Sequence, residues 1–299
     1  MWAGTDTMKK IYVIGYYGFQ NAGDDAMLMG ICDELNRRKV PFKFYFKGDS
    51  IWKVIKNVVE ADIIAVGGGT HLRNWGKGWL WQGLRIVLIG IIARLMDKQF
   101  HMWNVGIDGA RWEWIARKVC NFISIRDRET FDSAILMNYE VPNNTRFNII
   151  GVNITPVNRI YFNNPYIDDM IFDQVCIVLH HLLRNRPEWM IRFVSLNSNS
   201  KYSDEINIDD STVKMLESSF GDRIVEFIPY KDNVIDTINT IAECSEFISM
   251  RYHGKVLAFT AGVPIKDIGI KSYPSTAGFK NSISIEQARE LARKGIKTE

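Results

Sequence analysis

Asp62-Ile63-Ile64-Ala65-Val66-Gly67-Gly68-Gly69-Thr70 is an apolar run that stops at three glycines. It has the length and composition of a buried strand, and the glycines turn the chain at its carboxyl end. The same alternation extends on both sides. Further strands are predicted at Lys10–Gly15, Phe42–Phe46, Gln99–Val105 and Phe122–Ser124. Helices are predicted between them at Ala26–Arg38, Ile51–Val59, Trp79–Met96, Ala110–Lys118 and Glu129–Asn138. Short strands separated by helices of this length form a parallel sheet covered on both faces.

The pattern breaks at the turn-rich Val141-Pro142-Asn143-Asn144-Thr145 and then restarts. Strands follow at Ile149–Ile154, Met190–Leu196, Arg223–Phe227, Glu246–Ser249 and Ile265–Gly269. Helices follow at Ile167–Leu183, Ser211–Phe220, Asn233–Cys244 and Lys255–Ala261, and a last one at Ser284–Arg293 opens on a capping-box-like Ser284-Ile285-Glu286-Gln287. The expectation is an α/β chain with parallel sheets, built as two Rossmann-like lobes, 1–147 and 148–299, facing a central cleft. Ligands in such sheets sit beyond the carboxyl ends of the strands.

Composition narrows the function classes. The 299 residues are 46% hydrophobic with a formal net charge of +3. No basic block is present, so nucleic acid is not an expected partner. Cys32, Cys120, Cys176 and Cys244 lie far apart in apolar stretches and form no CxxC pair, which favours buried, reduced thiols in a cytoplasmic protein. Met1–Thr7 are set aside as a candidate non-native or alternative start, and Lys9-Lys10 before Ile11–Ile14 reads as a strand entry rather than a leader. The run Trp79–Met96 carries Arg85 and Arg94, which favours a buried helix over a spanning one. The aromatic and basic residues Trp75, Lys77, Trp79 and Trp81 leave peripheral membrane contact, on the inner face, open.

Five segments at strand ends carry chemistry. Gly15 to Asp25 joins a strand to a helix but matches neither GxGxxG nor a Walker loop. Its Asn21 and Asp24 suit substrate hydroxyls; the alternative is that Asp24 or Asp25 caps the helix. Gly68 and Gly69 either offer backbone amides to a ligand or simply turn the chain. In Ser124-Ile125-Arg126-Asp127-Arg128-Glu129, the two arginines share one side of a strand end; one of them faces the cleft, or the cluster is an ion-paired helix start. Gly151-Val152-Asn153 opens the second lobe. Ser249-Met250-Arg251-Tyr252-His253-Gly254-Lys255 lies between a strand and a helix, with Lys271 further on. A helix amino end with an arginine fork binds carboxylate or phosphate, and an imidazole, a candidate proton donor, stands two residues on. No histidine has metal-ligand spacing.

Taken in order, these segments resemble the polysaccharide pyruvyl transferase family from about Lys9 to Phe279. The matching stretches are Gly18–Asp25, Gly67–Gly69, Arg126–Glu129, Gly151–Asn153, Met250–Gly254, Ala261–Pro264 and Lys271. The resemblance implies a GT-B-like fold with an acceptor-side first lobe and a donor-side second lobe. It also implies transfer of a pyruvyl group from phosphoenolpyruvate to hydroxyls of a sugar, free or nucleotide- or lipid-linked, with no cofactor or metal. His253 is then the acid and Asp24 the base. Arg251, Lys271, Arg126, Asn153, Gly68, Gly69 and Asn21 are substrate-binding. A nucleotide-sugar glycosyltransferase of the same architecture is the alternative, and a non-enzymatic sugar-binding or scaffolding lobe pair is the third.

Overall fold

The computed structural model describes residues 8–72, 79–107, 110–126, 129–142, 146–154, 165–197, 218, 220–249, 251–266 and 282–299. Contacts divide the chain into two units. Unit 1 takes the chain up to Phe19, Asp24–Asn138 and Ser282–Glu299. Unit 2 takes Gln20–Gly23 and Tyr139–Asn281.

Unit 1 is built on β1 (Ile11–Ile14), β2 (Phe42–Phe44), β3 (Ile63–Gly67), β4 (Thr70–Leu72), β5 (Gln99–Ile107) and β6 (Phe122–Ile125). All pair in parallel, in the order β2-β1-β3-β5, with β4 and β6 both on β5. Every residue of β3 is buried, as a strand covered on both faces requires. On one face lie α2 (Ile51–Glu60), α3 (Trp79–Leu95) and α4 (Ala110–Val119), whose Val58, Ile86, Ala93, Trp112 and Ala116 share a core with Ile64, Val66, Phe100 and Met102. On α1 (Ala22–Arg37), Gly30 sits so close to the Ser133 carbonyl that a side chain there would overlap it.

Unit 2 has four parallel strands in the order β10-β7-β8-β9: β7 (Phe147–Asn153), β8 (Met190–Val194), β9 (Ile224–Ile228) and β10 (Cys244–Ser249). Helix α5 (Pro165–Arg184) buries Val175, Leu179 and Leu183 against Ile150, Val152, Ile191 and Phe193. Each such side chain stabilises by roughly 1.5–3 kcal/mol. Helices α6 (Val234–Ala242) and α7 (Tyr252–Thr260) pack on β10.

The parallel α/β reading holds, and two local expectations change. Glu129–Asn138 forms no α-helix but a 3-10 turn at Ser133–Leu136, capped by Asp132. Phe131 to Met137 are all buried, and Arg289 donates to the Ile135 carbonyl at 3.2 Å. Tertiary contacts on every side leave no solvent face for an amphipathic helix. The helix expected at Lys255 starts three residues earlier, at Tyr252, which moves His253 into its first turn. Of the strand expected at Ile265–Gly269, Ile265 bridges Phe247, and 267–281 lie outside the described residues, as does most of the helix expected at Ser211–Phe220.

The last helix, α8 (Ile285–Lys294), carries the expected capping box between Ser284 and Gln287. The expected lobe 148–299 includes it, whereas contacts group it with unit 1. Arg38 of α1 donates to the carbonyls of Arg293 at 3.0 Å and Ile296 at 2.8 Å. Asn104 donates to Ala292 at 2.9 Å, and Ser124 to Gly295 at 2.8 Å. These bonds fasten the carboxyl end of the helix and the residues after it to the rest of unit 1.

Candidate functional site

In unit 2 the carboxyl ends of β7 and β10 lie side by side, with Asn153 in register with Ser249. The Ser249 hydroxyl donates to Asn153 Oδ1 at 3.2 Å and lies 3.0 Å from the Arg251 carbonyl, while it accepts the Arg251 N–H at 3.1 Å. This latch sets where α7 begins. Arg251 is the N-cap residue, in extended conformation, and its side chain makes no cap bond. Its guanidinium therefore does not cap the helix, and the first turn carries no acid. Gly254 is in contact with the Ser249 hydroxyl, and any side chain there would collide with it. His253, half-buried, sits in the first turn beside the Tyr252 ring, centroids 5.8 Å apart and nearly perpendicular.

Residues 20–23 complete this edge. The Ala22 N–H donates to the Leu196 carbonyl at 2.9 Å, Asn21 bridges Asn197, and Gln20 donates to Asp232 at 3.0 Å. Gly23 lies flat against the imidazole: a methyl group there would overlap Cγ and Nδ1 of His253. The overlap involves atoms near the root of the side chain, so a rotamer change alone does not relieve it.

Several expected ligand contacts are used internally. Asn153 is 1% exposed; its amide donates to the Val194 carbonyl at 2.8 Å and its oxygen accepts from Ser249. It braces the strand ends rather than reaching a substrate. Asn21 accepts the Gly23 N–H at 3.1 Å, the geometry of an N-cap for α1. In unit 1, Gly68 and Gly69 do not present amides to a ligand. Both have positive φ, 63° and 77°, and both are buried. The Gly68 N–H goes to the Trp103 carbonyl at 2.9 Å, and the Gly69 N–H to the Met27 sulfur at 3.0 Å. The glycines kink the chain so that it leaves β3 and returns as β4 beside the same neighbour, β5. A left-handed kink of this kind is what glycine permits.

Arg126 is 4% exposed and pairs at 2.7 Å with Asp132, which is fully buried. Of the two arginines, Arg126 is thus the ion-paired one and is not turned toward a ligand; Asp127 and Arg128 lie outside the described residues. Asp24 is buried in the first turn of α1, and Asp25 accepts the Gly18 N–H at 3.3 Å. The Tyr17 hydroxyl donates to the Gly67 carbonyl at 2.8 Å. Burial, with the nearby Cys32, Asp24 and Asp132, raises the Tyr17 phenol well above its ordinary range. Tyr17 is a bolt between the first loop and the glycine triplet, not an acid.

Residues 21–265 match the family model for polysaccharide pyruvyl transferase. The chain belongs to that family. The matched span holds Asn21, the glycine triplet, Arg126, Asn153, Arg251 and His253; Lys271 falls beyond it and outside the described residues. No curated protein matches the chain in sequence. Among solved structures, UDP-GlcNAc 2-epimerase from Methanocaldococcus jannaschii is similar over 96% of this chain and 91% of its own, at 8% identity and a TM-score of 0.53. Another UDP-N-acetylglucosamine 2-epimerase is similar over 97% and 87%, at 10% identity and a TM-score of 0.50. At these identities the likeness shows the fold, and it agrees with the GT-B-like class expected from the sequence.

Within this transferase family frame, the structure assembles Arg251, His253 and Gly23 at one edge of unit 2. Asn153 supports them from behind. Sequence reading missed Ser249 and Gly254 as the pair that fixes the helix start, and Asp132 as the partner of Arg126. Ser249 had a local signal, a small hydroxyl residue two before an N-cap; Asp132 had none. The four cysteines are free. Burial pushes Cys32, Cys120 and Cys244 up to about 12 and Cys176 to about 11, so none is a thiolate at neutral pH.

Proposed function

We propose that the chain transfers a pyruvyl group from phosphoenolpyruvate to two hydroxyls of a sugar in surface-polysaccharide or glycoconjugate synthesis. The observation that carries this reading is Arg251 and His253 at the amino end of α7, on the carboxyl edge of a parallel sheet, in a member of this family. Helix N–H groups and a guanidinium suit a donor bearing both carboxylate and phosphate.

In this reading one sugar hydroxyl adds across the enol double bond. Its oxygen bonds to C2 while a proton goes to C3, making a methyl group. A second hydroxyl then bonds to C2 as the C2–O bond to phosphate breaks. The products are a pyruvate ketal and inorganic phosphate, and the reaction balances without a cofactor. His253 is the acid that delivers the C3 proton. Asp24, next in the chain after Gly23, is the base for the hydroxyl. Arg251, with Lys271, holds the donor.

The test is phosphate release from phosphoenolpyruvate in the presence of free, nucleotide-linked and lipid-linked sugars. His253→Gln is expected to lower kcat by about 10²–10⁴-fold, and Arg251→Ala to raise KM for phosphoenolpyruvate. Near wild-type release by His253→Gln removes the histidine from the mechanism. Release of nucleotide from a UDP- or GDP-sugar, with phosphoenolpyruvate inert, replaces the reading with glycosyl transfer.

A further inference from the structure

Helix α3 has two apolar faces. Gly83, Ile86, Gly90 and Ala93 are buried, and the glycines let Trp112 and Phe100 press directly on the helix backbone. The opposite face carries Leu80, Leu84, Leu88, Ile91, Ile92 and Leu95, between 39% and 82% exposed. At 3.6 residues per turn these six fall within an arc of about 120°. Arg85 flanks one side of the arc and Arg94 the other, both exposed, with Arg94 also donating to the Lys118 carbonyl at 3.1 Å. A row of leucines and isoleucines along a whole helix is larger than the scattered apolar exposure of an ordinary surface, and it marks a docking face.

The charge pattern selects the occupant. From Ile63 to Met96 the sequence contains no aspartate or glutamate, and the charged residues of α3 are Arg85 and Arg94. Two copies of the chain related by a twofold axis would bring the arginine-flanked row against itself, which like charges oppose. An anionic lipid surface instead meets both demands. The aliphatic row enters the boundary between headgroups and acyl chains, and the arginines on its flanks reach lipid phosphates. No helix among the described residues is long and apolar enough to cross a membrane, and 17 residues of helix span only about 26 Å. We propose that α3 lies in the plane of a membrane and binds unit 1 peripherally to anionic lipid. This stands apart from the chemistry at α7, since it reads out with no substrate present.

The test is flotation of the full chain with vesicles of phosphatidylcholine alone and of phosphatidylcholine with phosphatidylglycerol. Binding is expected to the anionic vesicles and to weaken with salt. Arg85→Ala should weaken it about fivefold. The triple change Leu84→Ser, Leu88→Ser and Ile91→Ser should weaken it by at least about tenfold, with thermal unfolding and phosphate release in solution unchanged. Should the triple variant lose its folding transition, Leu88→Ser alone carries the comparison. Failure to float with anionic vesicles overturns the proposal, as does equal binding by wild type and the serine variants. A wild-type dimer that becomes monomeric with Leu88→Ser also overturns it, because a second copy then covers the row.

Discussion

At the scale of single residues, the site depends on how closely backbone approaches an imidazole. Gly23→Ala adds one methyl group where Cγ and Nδ1 of His253 already lie, while alanine itself favours the helix it would join. The variant is expected to fold, to shift the His253 resonances in a ¹H–¹⁵N spectrum, and to lose up to about 10²-fold in phosphate release, as a displacement of about 1 Å does. An unshifted imidazole with full activity would show that the contact is not needed. Polar residues and glycines at strand ends were legible in the sequence as a set. Their assignments were not, because the use of an N–H or amide is settled by what lies across from it. Asn153 reads as a ligand for substrate until Val194 occupies its nitrogen and Ser249 its oxygen. Gly69 reads as an open amide until the Met27 sulfur takes it.

At the scale of elements, local signals proved reliable and long-range ones invisible. The capping box at Ser284 was readable because its two bonds span three residues. The turn at Ser133–Leu136 was misread as helix because its neighbours come from α1 and α8, far away in sequence. Strand β5 supplies a test of this clasp. His101 is 1% exposed, and its Nδ1 lies 3.1 Å from the Lys297 carbonyl just after α8. Burial, with Lys297 and Lys9 nearby, lowers its pKa to about 4. The folded state thus resists protonation that the unfolded chain accepts near 6.5. Between those values the unfolded state binds more protons, so stability is full above about pH 6.5 and declines as pH falls toward 4. The contribution is on the order of 3 kcal/mol. His101→Phe should remove that part of the slope when denaturant midpoints are compared between pH 4 and pH 7. Parallel curves for the two proteins would place the acid sensitivity elsewhere.

At the scale of the whole molecule, two parallel α/β units were legible from the alternation of strand and helix. Their membership was not, since no periodicity reveals that α8 crosses back to unit 1. Removing Ser282–Glu299 would expose the surface covered by Ala288, Ala292 and Ile296 and strip partners from Arg38, Asn104 and Ser124. Each buried polar group left unsatisfied costs about 1–3 kcal/mol, against a total stability of roughly 5–15 kcal/mol. The truncated chain should therefore lose unit 1 first. Limited proteolysis is expected to digest residues 24–138 while a fragment from unit 2 persists, and equal resistance of both would argue that α8 is dispensable.

The closing of unit 1 by α8 also sets an order of events during synthesis. Residues 8–138 leave the ribosome well before Ser284 exists, so the first-made sheet waits with Glu34, Asn104 and Ser124 uncovered. Unit 2, nearly continuous from Tyr139 to Asn281, has almost all its strands in hand sooner. The segment translated before unit 2 is thus completed after it, which leaves its apolar surface exposed for longer during folding.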